Sequence, residues 1–385
     1  MLFKKVNWKK MSSSIVLIAL FLLLASSIKG GESMALKDIF GFFAIYAVGA
    51  LALNVVCGCL GEFALGHGGF LLIGYTVAVI VASKMFDMFG GFEFYLDKVY
   101  NHNESTLYPL GYLFIIIDVL IAAAVTGLIG FLIGLIALGR LKGDYLAIVT
   151  LGFGLILVNL FENSALLSNN GQGINVDKKL SGDSLLFAIM LVFSLVLILT
   201  FMKSRFGRGI LAIREDNIAA EASGVPVKKY KIMAFTFSAI IAGIAGGLFA
   251  HFIGYAPVKF NQDMSIKLLI IVVLGGLGSL TGTVFSALII VLYEQWFCGL
   301  SWVPSLFTEN PKIIYGVVLV VIMLFRTSGI LGTSEFTWDW FYSKIKFLWK
   351  KIVSLFKKKT PVQDTLNNVN DNVIVEEHNG AEGGK

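Results

Sequence analysis

Charge is what this chain has least of. Only 15% of its 385 residues are charged, whereas 57% are apolar. A soluble protein of that make-up would expose patches large enough to aggregate. Cysteine is scarce too, with Cys57, Cys59 and Cys298 alone. Two of them stand in CGC inside an apolar run, where a thiol reads as a small core residue rather than a redox or metal group. The four histidines are scattered and form no metal constellation. No GxxxxGK[ST] phosphate loop is present, so the chain does not bind ATP by that route. No nucleophile, base and oxyanion set can be assembled, which argues against an enzyme. Alternating apolar and polar residues are missing as well, and with them the pattern of a membrane barrel.

What is present is a series of continuous apolar runs, each near the ~20 residues that cross a bilayer as a helix. The chain reads as an all-α polytopic membrane protein. Runs at Ile15–Ile28, Leu36–Val56, Leu60–Ala82, Leu110–Leu138, Tyr145–Leu160, Leu185–Met202, Ile232–Phe252 and Ile313–Phe325 are the expected spans. Ile266–Tyr293 is either one long span or two short helices broken at GGLGSLTG, Gly275 to Gly282. The first run follows Lys4, Lys5, Lys9 and Lys10 and reads as an uncleaved helix. Ala25-Ser26-Ser27 resembles a cleavage site, which makes a signal peptide the alternative.

The net charge of +6 is not a nucleic-acid signal, because the basic residues cluster beside apolar runs as the positive-inside rule predicts. Both termini then fall in the cytoplasm, provided that Ile266–Tyr293 crosses twice or re-enters, for about ten crossings. Residues 334–359 mix Trp338, Trp340, Phe341, Phe347, Trp349 and Phe356 with lysines, a pattern suited to an anionic membrane surface. Residues 360–385 are polar and read as disordered.

One polar island interrupts the apolar pattern, KSRFGRGILAIREDNIAAEASGVPVKKYK, Lys203 to Lys231. It has basic edges (Lys203, Arg205 and Arg208, then Lys228, Lys229 and Lys231). Its centre, Asn217 to Ala222, reads as a short helix of small residues stopped by Gly224 and Pro226. So patterned a loop implies a docking partner, and the missing phosphate loop implies that the partner supplies the energy. An ordinary solvated loop is the bland alternative.

Two glycine-rich segments interrupt spans, Cys57 to Phe70 and Leu274 to Gly282. Such breaks permit close helix packing, mark a translocation path, or both. The residues singled out are Asn54, Gly58, Gly61, Gly66, His67, Gly275, Gly276 and Gly278. Asn54, Glu62, His67, Asp118 and Asn159 are polar groups inside or beside spans, where an ionisable group is costly and suggests function. Glu62 and His67 also fit an interfacial position.

Five blocks in order carry a resemblance: LALNVVCGCLGEFALGHGGFLLIGYT, RLKGDYLAIVTLGFG, the island from Arg205 to Lys231, VLGGLGSLTGT and LFRTSGILG. From about Asn54 to Gly332 the chain resembles the branched-chain amino acid ABC transporter permeases of the LivM type. Thr281 and Thr283 depart from the family's usual bulkier residue and proline. The resemblance implies a type II importer core of about ten helices with two internal repeats, occupying residues 35–333 behind an N-terminal segment, 1–34, with residues 203–231 as its cytoplasmic coupling loop. It implies two ABC ATPase subunits carrying ATP-Mg, a second homologous permease subunit, an external substrate-binding protein and a place in a bacterial or archaeal cytoplasmic membrane. No cofactor or metal of its own is implied. Arg214, Glu215, Asp216, Ala219, Ala220, Glu221, Ala222 and Gly224 become the coupling residues. Ala219, Ala220 and Ala222 would form a slim ridge for the ATPase groove, Ile213 and Ile218 would add apolar contact, and the acids would suit the helix N-terminus. Urea, short amides or another small solute are alternative substrates, and an ion-coupled secondary transporter is the alternative class.

Overall fold

The structure is a computed structural model that describes residues 34–88, 109–138, 144–163, 184–253 and 262–299, with positions 316, 317, 320 and 324. The chain divides into two compact units, Met1–Glu335 and Phe336–Lys385, and every described residue belongs to the first. The expected first span, the expected last span apart from those four positions, and the tail lie outside the described residues.

Ten α-helices are described. They are α1 (Met34–Asn54), α2 (His67–Met88), α3 (Pro109–Ala137), α4 (Asp144–Glu162), α5 (Ser184–Lys203), α6 (Arg205–Glu215), α7 (Asn217–Ala222), α8 (Val227–Ile253), α9 (Gln262–Gly275) and α10 (Leu280–Gln295). A π-helical turn, Val55–Leu60, extends α1. No strand occurs among the described residues. Among the described residues four helices are long and apolar enough to cross a membrane, over Leu36–Leu60, Leu113–Ala137, Ser184–Lys203 and Val227–Ile253. Shorter apolar helices cover His67–Ala82, Tyr145–Phe161 and Leu280–Gln295.

The apolar runs expected from sequence match these helices to within a few residues at most ends. Two differences have physical causes. The run begun at Leu60 does not become helix until His67, because Gly61 ends the preceding turn in a left-handed conformation. Ile266–Tyr293 resolves into two helices. The Ser286 hydroxyl in α10 donates to Ile271 O in α9 at 2.6 Å, so the two lie side by side as a hairpin. At 1.5 Å per residue each is roughly 20–25 Å long, short of a full hydrocarbon core of ~30 Å.

The core is built around α8, which packs on α1, α2 and α3. Glycines let these backbones meet. A side chain at Gly74 would lie 2.6 Å from the Gly243 carbonyl, and one at Gly243 would lie 2.8 Å from Ala123 Cα in α3. Gly247, one turn on, faces Val119 in α3. Small residues four apart form this kind of seam where lipid offers no hydrophobic drive for helix association. By contrast α3 and α5 present apolar residues outward, among them Leu128, Ile136, Phe193 and Val196. That is the face a lipid-contacting helix requires.

Candidate functional site: two glycine breaks and a capped helix

The first break begins where α1 widens into its π turn. It closes on Gly61, at φ 79°, whose N–H donates to Val56 O. A left-handed conformation costs an ordinary residue about 1–2 kcal/mol, so glycine fixes where the helix stops. Residues 61–66 then run without helix to α2. Leu65 N–H donates to Thr150 Oγ1 in α4 at 3.1 Å. A side chain at Gly66 would come within 2.5 Å of the Thr150 carbonyl oxygen.

The second break lies between α9 and α10. Gly276 and Gly278 stand at φ 110° and 91°. The Ser279 side chain caps α10 by accepting from Gly282 N–H at 3.1 Å. A side chain at Gly275 would collide with Gly282 and Thr283, so the hairpin is closed backbone to backbone.

Asn54 joins the two breaks. Its Nδ2 donates to Ser279 O at 3.0 Å and to Thr283 Oγ1 at 2.9 Å. Its Oδ1 accepts from Gly278 N–H at 2.9 Å. Asn54 is fully buried, so three satisfied hydrogen bonds are what make its amide tolerable there. Gly58 is bare for the same reason, since a Cβ would overlap Asn54 Oδ1 and the Gly278 backbone. The structure thus gathers Asn54, Gly58, Gly275, Gly276 and Gly278 at one place, with Gly61 beside it. Gly66 and His67 turn instead toward α4 and α8.

The breaks also share a sequence. Val55-Val56-Cys57-Gly58-Cys59-Leu60-Gly61 and Val272-Val273-Leu274-Gly275-Gly276-Leu277-Gly278 agree at five of seven positions. Each ends on a glycine of positive φ. This register is carried by the sequence alone, but neither the spans nor the family blocks pick it out.

Polar groups expected at an interface are buried. Glu62 forms an ion pair with Lys231 in α8, and only 8% and 5% of the two residues are exposed. The cause is the turn at Gly61, which sets Glu62 beside the first turns of α8. Lys231, read from sequence as part of the island's basic edge, is an internal partner. His67 is fully buried. Its Nε2 lies 2.7 Å from Ser238 Oγ, whose hydroxyl donates to Ala52 O at 2.6 Å. Asp118 meets His251 of α8 at 2.7 Å. Lys267 pairs with Glu294 and lies 4.0 Å from the centre of the Tyr46 ring. Asn159 only folds back on Leu155 O, at 2.9 Å. Ser238, His251, Lys267, Ser279 and Glu294 carried no sequence signal, because their partners lie up to 225 residues away.

The polar island folds as two capped helices. Ser204 caps α6 by accepting from Gly207 N–H at 3.3 Å. Asp216 caps α7, its carboxylate accepting from Ile218 N–H at 2.8 Å and Ala219 N–H at 3.1 Å. Gly224, at φ 84°, ends α7, and Val225 N–H closes on Ala220 O at 3.0 Å. Arg214 and Glu215 belong to the last turn of α6, not to α7, so Asp216 is the acid at the α7 N-terminus. Ala220 is buried while Ala219, Glu221 and Ala222 are exposed, and Ile213 is in the core. The outward ridge is therefore Ile218, Ala219, Glu221 and Ala222, with Ile218 80% exposed.

The family model described as branched-chain amino acid transport system / permease component matches residues 35–323. The chain belongs to that family. Among its curated relatives is the high-affinity branched-chain amino acid transport system permease protein LivM of Escherichia coli K12. It is 32% identical over 329 residues, covering 76% of this chain and 69% of that protein. The LivH permease protein of the same system and strain is 25% identical over 307 residues, covering 75% and 92%. The probable ABC transporter permease YphD of that strain is 28% identical over 184 residues, covering 45% and 52%. No solved structure matches. Both glycine breaks and both island helices of this permease-family chain lie inside the matched residues.

Proposed function

We propose that this chain is a transmembrane permease subunit of an ATP-binding cassette importer for branched-chain amino acids. It forms half of the translocation pathway beside a second, homologous permease subunit. Two ATPase subunits holding ATP-Mg dock on α7 from the cytoplasm, and a binding protein delivers substrate outside. The chain hydrolyses nothing itself. About ten crossings in two repeats, with both termini cytoplasmic, complete the reading. The matched heptapeptides of the two breaks support the repeats.

One observation carries it: α7 is capped at both ends, held between α6 and α8, and turns Ile218 outward. A stiff, slim helix pinned to two others can pass on a push as a rigid body. Membership in the family, and the names of its relatives, supply the substrate class.

An ion-coupled carrier is the second reading, favoured by the buried pair Asp118–His251 and the half-buried pair Lys267–Glu294. Each pair is internally compensated, so neither needs a transported ion. The test is reconstitution of the chain with its partner permease, ATPases and binding protein in vesicles. Leucine uptake that requires ATP and survives an ionophore supports the importer. Uptake without ATP, or of urea or a short amide in place of leucine, overturns it.

A further inference from the structure

Arg214 sits in the last turn of α6, two residues before the Asp216 cap of α7. Its stem and its head touch different breaks. A side chain at Gly61 would meet Arg214 Cγ at 3.2 Å. One at Gly278 would meet Arg214 Nη1 at 2.6 Å. Gly61 and Gly278 are the closing glycines of the two matched heptapeptides, and both are left-handed. Among the described residues Arg214 makes no ion pair. Its stem lies instead against the turn that closes the π turn of α1, and its guanidinium against the Gly278 turn between α9 and α10.

We propose that Arg214 is the positioning residue through which displacement of α7 reaches both glycine breaks together. The inference rests on the reading of α7 as the ATPase dock. A short path supports it. Asp216 N–H donates to Ala212 O at 3.2 Å, so α7 hangs directly from the turn that carries Arg214. That turn is held rigidly, because Gly209 of α6 is packed bare against Tyr230. A push on α7 therefore tilts the end of α6, and Arg214 is the part of that end in contact with the breaks. Asn54 locks the two breaks to each other, so they move as one unit when Arg214 moves.

The test uses the full transporter in vesicles. Arg214→Met keeps the stem on Gly61 and removes the guanidinium from Gly278. Arg214→Lys keeps a charge but loses the planar fork. The expected result is normal assembly and ATP hydrolysis for Arg214→Met, with leucine moved per ATP down about tenfold, a mid-range value for coupling between sites. Arg214→Lys falls between. Spin labels at Leu277 and Val77 give a readout that does not depend on substrate. ATP shifts their separation in the parent protein and leaves it unshifted in Arg214→Met. A normal leucine-to-ATP ratio together with a normal ATP-driven shift in Arg214→Met overturns the proposal, as does failure of both variants to assemble. A parent complex that shows the label shift without leucine uptake would sink the substrate reading and leave the role of Arg214 standing.

Discussion

The two glycine breaks start from nearly the same seven residues and are fastened by different physics. The first, ending at Gly61, is held by charge. Glu62 and Lys231 form a buried ion pair that ties it to the foot of α8. The second, ending at Gly278, is held by neutral hydrogen bonds through Asn54, Ser279 and Thr283. Position 279, which follows the second heptapeptide as Glu62 follows the first, is a serine that caps a helix instead of seeking a cation. A shared backbone turn is thus anchored by an ion pair in one copy and by neutral hydrogen bonds in the other. The copy held by neutral hydrogen bonds is the one that lies against the guanidinium of Arg214.

The sharpest way to break this contrast is Lys231→Met, which strands a buried carboxylate. A loss of about 3–5 kcal/mol is expected, read as a large drop in thermal stability of the detergent-solubilised protein. Adding Glu62→Gln should restore most of it. A single variant as stable as the parent would mean that the pair does not anchor the first break.

The sequence already displayed the apolar runs, because continuous hydrophobicity near bilayer length is written locally. The capped α7 was equally visible, since Asp216, Gly224 and Pro226 are local signals. Lys231 was not, because a lysine beside an apolar run looks like any positive-inside residue until its partner, 169 positions earlier, is known. Asn54 was visible as an oddity but not as a bridge, for its partners lie more than 220 residues away. The inward turn of Ala220 depended on how α6 seats on the core, which the spacing of small residues does not fix.

Asn54→Leu comes next in size. It leaves the Gly278 N–H without its acceptor, while the Ser279 carbonyl keeps Thr283 as donor, for an expected loss of about 1–3 kcal/mol. The effect should fall on the second break, so amide exchange should quicken at residues 276–279 and stay slow at Gly61. Equal quickening at both would erase the distinction.

Gly61→Ala and Gly278→Ala should each cost about 1–2 kcal/mol through their left-handed backbone. Gly278→Ala should cost more, because its new methyl meets the guanidinium of Arg214. In an Arg214→Ala background the two should become equal in thermal stability. A difference that persists there would assign the excess to something other than Arg214.

The smallest effect is expected from Asp216→Ala, which removes the α7 cap at about 1 kcal/mol of local helix stability. Faster exchange of the Ile218 and Ala219 amides, with little change in overall melting, would show that the dock is stiffened independently of both breaks. Unchanged exchange would show that the cap contributes nothing.

The glycine seam of α2, α3 and α8 bears on how such a protein could work at all. Backbones that touch without side chains between them leave nothing to re-pack, so these three helices cannot slip past one another by small amounts. They form a keel. Any opening must happen by moving whole pieces about that keel, and the α9–α10 hairpin, fastened to α1 by the amide of Asn54, moves with α1 rather than apart from it.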